Sequence, residues 1–205
     1  TLTFLEQDLI TNQGKKTLIF FHHLVNPIPS VTDNPYVNAS YLLVDNYQAF
    51  KTLIEGYPDV WIVFSGHAHF NSVTYDKGIL YVVTASVIHY PVQYNILHIY
   101  ENAVIQEARK ISGTISLSEW SRAKMIDWIN THYGFLGEDI AEDALGIVYG
   151  KLRDRAFVFI QGEYQYKTVK TSDNIKVYPN PVKPGIHGSI LNFEIQFERV
   201  RIIPQ

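Results

Sequence analysis

The chain has 205 residues, 46% hydrophobic and 18% charged, with 17 basic and 20 acidic side chains and a net charge of -3. That composition supports a packed core and excludes global disorder, and the mild negative charge excludes bulk attraction to nucleic acid or to an anionic membrane. Cysteine is absent, which leaves imidazole, carboxylate and carbonyl groups as the ligands for any metal.

The predicted elements run as follows. Phe4, Leu5, Asp8 and Leu9 fall at helical spacing over residues 3 to about 12, with Thr3 as N-cap and Gly14 as the stop. Thr17-Leu18-Ile19-Phe20-Phe21 is a continuous apolar run, as in a strand buried on both faces. Pro27, Pro29 and Pro35 mark residues 23–37 as a loop. A helix over Asp45 to Glu55, capped by Asp45 or Asn46 and stopped by Gly56-Tyr57-Pro58, precedes a second buried strand, Val60 to Phe64. Strand, loop, helix, strand implies parallel pairing under a covering helix. Segments 70–75, 79–84, 94–100 and 103–110 then read as an antiparallel meander, turned at Asp76-Lys77-Gly78, at Pro91 and at Glu101-Asn102.

Beyond Gly113 an amphipathic helix starts near Ser118, with Trp120, Ala123, Met125 and Ile126 near one stripe. A further helix over 138–149 leads to the strand Ala156 to Ile160, and residues 190–203 alternate like a strand pair. The expected organisation is one domain over 1–112 and a helical, then β-rich extension over 113–205.

The histidines fall unevenly. His22 and His23 leave one predicted buried strand, and His67 and His69 leave the other, in Gly66-His67-Ala68-His69. Ligands of open α/β sheets sit beyond the carboxyl ends of parallel strands, so both pairs are expected on one rim. Gly66 is the expected point at which the backbone turns. His89, in Ser86-Val87-Ile88-His89-Tyr90-Pro91, is on a loop expected to return to that rim, while His98 reads as a sheet position and His132 and His187 carry no partner signal. Tyr90 and Tyr94 are candidates for shaping a pocket. Arg153-Asp154-Arg155 reads as charges capping and pairing at a helix end.

A buried strand followed by Gly66-His67-Ala68-His69 and strand-turn-strand resembles the last motif of the calcineurin-like metallophosphoesterases. Leu18-Ile19-Phe20-Phe21-His22-His23 resembles their preceding motif, and the likeness covers about residues 1–110. It implies an α/β to α+β fold: the C-terminal half of a β-sandwich flanked by helices, followed by the extension. It implies a hydrolase of phosphomonoesters or phosphodiesters using two divalent ions (Mn, Fe, Zn or Co) and a bridging hydroxide. Mapped residue by residue, His22 and His67 would bind one ion and His69 the other. His23 takes over no ligand role from the family; His23 and His89 are candidates to contact substrate, against a packed role for His23 and a structural hydrogen-bonding role for His89. No residue here takes over a catalytic proton-transfer role.

The family's Asp-x-His, Gly-Asp-x-x-Asp and Gly-Asn-His motifs do not occur, and Asp33 and Asn34 do not replace them. The chain opens on Thr1-Leu2-Thr3 and its only methionine is Met125, so a fragment is expected, lacking an N-terminal segment with the acidic ligands. Alone, it is expected to be inactive and to hold no metal of necessity. The partners expected are a phosphoester and that segment, not nucleic acid. No membrane span is expected, so a soluble protein, cytoplasmic or exported, fits. The alternative is a non-catalytic binding or regulatory module on the same scaffold. A third reading, a mononuclear H-x-H site in a cupin-like barrel, requires His67 and His69 side by side on one strand face. Tyr178-Pro179-Asn180-Pro181 and Lys183-Pro184-Gly185 loosely resemble the opening of immunoglobulin-like tail modules.

Overall fold

Helix α1 spans Leu2–Thr11 in the computed structural model. The structure describes residues 2–28, 42–111, 119–127, 145, 146 and 148–160, and the backbone of 163–165. Thr3 therefore lies inside the first turn of α1, not at its cap. Gly14 ends the helix with φ 81, where a left-handed residue without Cβ is unstrained. The turn is fastened by Asp59, whose carboxylate accepts from the Gly14 N–H at 2.7 Å and whose carbonyl accepts from Thr17 N–H at 2.8 Å.

Strands β1 (Thr17–Phe21), β2 (Val60–Ser65), β3 (Ser72–Asp76) and β4 (Ile79–Val83) form one sheet in the order β1-β2-β4-β3. β1 and β4 both run parallel to β2, and β3 is antiparallel to β4. Helix α2 (Tyr47–Ile54) supplies the crossover between β1 and β2. Asn46 stands at its N-cap but makes no side-chain capping bond. Lys77 and Gly78, with φ 47 and 84, form the two-residue hairpin turn whose twist matches β3 and β4.

The all-apolar run of β2 reflects its central place, and every residue from Val60 to Ser65 is buried. β1 differs from the expectation. It is the edge strand among the described residues, and Phe20 is 66% exposed and Phe21 37%. An apolar pentapeptide looks the same in sequence whether one face or two are covered. Phe20 keeps only partial cover, stacked on its register neighbour Phe64 at 4.9 Å.

The expected meander is corrected as well. Its two hairpins form, but in different sheets: β5 (Gln93–Ile99) and β6 (Ala103–Lys110) begin a second sheet ordered β5-β6-β7-β8. β7 (Ala156–Ile160) pairs antiparallel with β6, and β8 (Glu163–Gln165) with β7. β2 leaves a free edge that β4 takes in parallel, so the first hairpin joins the α/β sheet.

Two buried clusters hold these layers. Leu9 of α1 and Phe50 and Ile54 of α2 pack with Ile19, Val60, Val63, Ile79 and Tyr81. The opposite face contributes Ile62, Phe64, Leu80 and Val82, which meet Val104, Phe157 and Phe159 of the second sheet. A fully buried side chain such as Phe159 contributes about 1.5–3 kcal/mol by leaving water. The fold is thus mixed α/β with two sheets.

Residues 119–127 are helical, yet the expected stripe is overturned, since Trp120 is 57% exposed and Ser121 is the buried residue. Most of the 138–149 helix, the segment with Asp33 and Asn34, His132, His187, the Tyr178–Gly185 segment and 190–203 lie outside the described residues. Among the described residues no helix is long and apolar enough to cross a membrane.

Candidate functional site

The two histidine-bearing strands end in register, with Phe21 opposite Ser65. The pairing continues one residue further, as Gly66 N–H donates to the His22 carbonyl at 3.0 Å. That continuation brings the next side chains together. His67 Nδ1 lies 3.1 Å from His22 Nε2, the rings 4.9 Å apart at 62°. Between neutral imidazoles one nitrogen donates and the other accepts.

The chain then reverses twice. Ala68 N–H donates to the Gly66 carbonyl at 2.6 Å, closing a three-residue γ-turn around His67, whose φ is 59. His69 is also left-handed, with φ 58. Each such residue carries about 1–2 kcal/mol of backbone strain that a glycine would not. The expected turning point was Gly66, and this is corrected. Gly66 is not left-handed, and a Cβ there would meet nothing nearer than the His22 carbonyl oxygen at 3.7 Å. Its N–H is committed to the ladder, so the reversal falls on the residue after it.

The reversals send His67 and His69 to different partners. His69 Nδ1 lies 2.7 Å from His89 Nδ1, with rings 4.7 Å apart. The cupin-like reading is thereby overturned, because the two residues do not share a strand face. The pKa of His69 is lowered by burial first, then by the nearby imidazoles of His89, His67 and His22, all of which disfavour a second positive charge. His23 meets His67 ring against ring, 4.2 Å apart and tilted by 43°. Among the described residues, no three His, Asp or Glu side chains gather into a group able to hold a metal ion.

Asn71, not among the residues expected at the rim, fixes the second pair. Its N–H donates to the Val148 carbonyl at 3.1 Å and its Nδ2 to the Tyr149 carbonyl at 2.9 Å. Its Oδ1 accepts from Gln93 Nε2 at 2.6 Å and Ala85 N–H at 3.4 Å. One buried amide thus joins the segment after His69, the two ends of the loop carrying His89, and residues 148–149. Gly150 makes room for it: φ is 72, and a Cβ would stand 2.6 Å from the Asn71 carbonyl oxygen. Only a polar residue two positions beyond His69 hinted at this, since every partner is remote in sequence. Below the rim, Leu24, Ile28, Leu42, Phe70 and Val83 form a buried floor on which Ala68 packs.

Other candidates take structural places. Asp154 is buried and accepts from Val73 N–H at 3.1 Å and Lys151 N–H at 2.7 Å, so it caps α3 (Leu152–Arg155) and ties it to β3. His98 stands on β5 with Nε2 3.7 Å from Glu107 Oε1. Tyr90 lies 6.2 Å from the Tyr149 ring, and Tyr94 is exposed.

Among solved structures, the chain is similar to a dimetal phosphatase from Danio rerio, with 22% identity and a TM-score of 0.45. That match covers 53% of this chain and 34% of the phosphatase, so the chain spans about a third of the length of that structure. No family model and no curated protein matches.

Proposed function

We propose that the chain supplies the histidine side of a metal-dependent phosphoesterase of the calcineurin-like kind. His22 and His67 hold one divalent ion, and His69 holds a second with His89 beside it. The observation that carries this reading is the partition of Gly66-His67-Ala68-His69 into two imidazole pairs, at 3.1 and 2.7 Å, on the rim where parallel strands end. Two nitrogens ligating one ion at about 2.1 Å and about a right angle lie about 3 Å apart, so the donor spacing suits divalent Mn, Fe, Zn or Co. Two imidazoles per ion leave its charge uncompensated, and the carboxylates a dinuclear centre requires come from outside the described residues. Such ions supply an activated hydroxide and offset charge on the phosphoryl oxygens. The chain's own residues fix ligand direction: the ladder bond at His22, the γ-turn at His67 and the Asn71 amide behind His69. His23, packed on His67, faces the substrate side in this reading.

The test is Mn-dependent hydrolysis of bis-p-nitrophenyl phosphate by the product of the whole open reading frame. Wild type should turn over, His67→Ala should not, and this chain alone should be inactive. Full turnover in His67→Ala overturns the assignment. A folded whole protein inactive with Mn, Fe, Zn and Co favours a binding or regulatory module instead.

A further inference from the structure

Two cations share one tyrosine beside the His89 loop. Arg155 Cζ stands 3.8 Å from the Tyr149 ring centroid and Lys110 Nζ 5.8 Å from it. Cation–π attraction explains either contact singly, but not the approach of two like charges to one ring. Among the described residues no carboxylate compensates them. Asp154 is engaged by two backbone N–H groups, and Glu107 takes Arg109 at 2.6 Å. Among the described residues no acidic side chain forms an ion pair with Lys110 or Arg155. Arg155 Nε is buried and has no hydrogen-bond partner among the described residues, an arrangement that costs stability unless a ligand accepts from it. The pKa of Lys110 is lowered first by burial and then by the charge of Arg155, so the two cations disfavour one another's charge.

The corner is built into the same framework as the second histidine pair. Lys110 is the register partner of Gln93, whose amide donates to Asn71. Asn71 in turn holds the Tyr149 carbonyl at 2.9 Å, and Tyr149 faces Tyr90, the residue after His89. We propose that Lys110 and Arg155, gathered on Tyr149, form a phosphate-binding site distinct from the two histidine pairs. A phosphate group carries close to two negative charges at neutral pH and several acceptor oxygens, matching an ammonium and a guanidinium whose Nε–H is unpaired. A carboxylate offers one charge and would leave the pair half neutralised. The site does not depend on the histidines binding metal.

The experiment is calorimetric titration of the metal-free chain, in EDTA and low salt, with inorganic phosphate. Saturable binding is expected, weakened about tenfold or more in Lys110→Met and in Arg155→Met, and weakened by added salt. Lys110 is at the surface, so its variant should keep the wild-type urea midpoint. Phenyl phosphate distinguishes the sources: tighter binding than inorganic phosphate identifies a phosphate ester as the ligand, and equal binding identifies the free anion. His67→Ala should bind phosphate like wild type, which separates this site from the metal reading. Absence of saturable binding, unchanged affinity in Lys110→Met, equal affinity for acetate, or loss of binding in His67→Ala overturns the proposal.

Discussion

Gln93 donates from Nε2 to Asn71 Oδ1 at 2.6 Å, and both residues are buried. This bond joins the start of β5 to the segment leaving His69. It makes the geometry of the His69–His89 pair a property of the second sheet as much as of the first.

Asn71→Ala should therefore be strongly destabilising. It removes the bonds to Gln93, Ala85 and Tyr149 and leaves the Gln93 amide buried without its acceptor. A loss of about 2–4 kcal/mol is expected from urea denaturation. A loss below about 1 kcal/mol would show that the network carries little of the fold's stability.

Two glycines should behave oppositely. Gly150→Ala places a methyl 2.6 Å from the Asn71 carbonyl oxygen at φ 72, and should cost about 2–4 kcal/mol. Gly66→Ala meets only ordinary contact at 3.7 Å and should change stability by less than about 1 kcal/mol. Thermal denaturation of the two variants side by side checks the contrast, and equal losses would contradict it.

Strain at the paired histidines is measurable apart from chemistry. His67→Gly and His69→Gly should each be about 1 kcal/mol more stable than the corresponding alanine variant, because φ is 59 and 58. Under the proposed function, all four should lose metal-dependent hydrolysis in the whole protein by about a hundredfold or more. Equal stability of each glycine and alanine variant would argue against left-handed backbone at these positions.

The end of β3 should show acid sensitivity. The Asp76 carboxyl is held below its ordinary range chiefly by the hydrogen bond from Lys51 Nζ at 2.8 Å, against the opposing effect of burial. A depressed folded pKa contributes stability above the unfolded carboxylate range, and that contribution disappears as pH falls through the folded value. Asp76→Asn should be less stable than wild type at neutral pH, and the gap should close in strong acid. Asp76 is 41% exposed, so the gap should be small and should shrink with salt. A gap that persists unchanged in acid would assign it to packing.

Much of the framework was legible in the residues. Period and punctuation gave α1, α2, the parallel β1–β2 pair and the turns of the β3–β4 and β5–β6 hairpins, because those depend on neighbours along the chain. What escaped depends on neighbours across it. The edge position of β1, the transfer of the β3–β4 hairpin to the first sheet and the exposed Trp120 are decided by which surfaces meet, and an apolar letter does not say that. The rim positions of His22, His67 and His69 followed from strand ends. The partition of His67 from His69 did not, because it rests on left-handed backbone at two residues that rarely adopt it, while the adjacent glycine does not.

That partition constrains the segment in number more than in kind. Ala68 contributes a small side chain to the floor and a backbone N–H to the γ-turn, and several residues could do both. One residue added or removed between Gly66 and His69 would rotate the two rings onto each other's neighbours, and no later adjustment in the loop would restore both. Four letters of spacing here act as a gauge block, and tolerance to substitution should coexist with none to insertion.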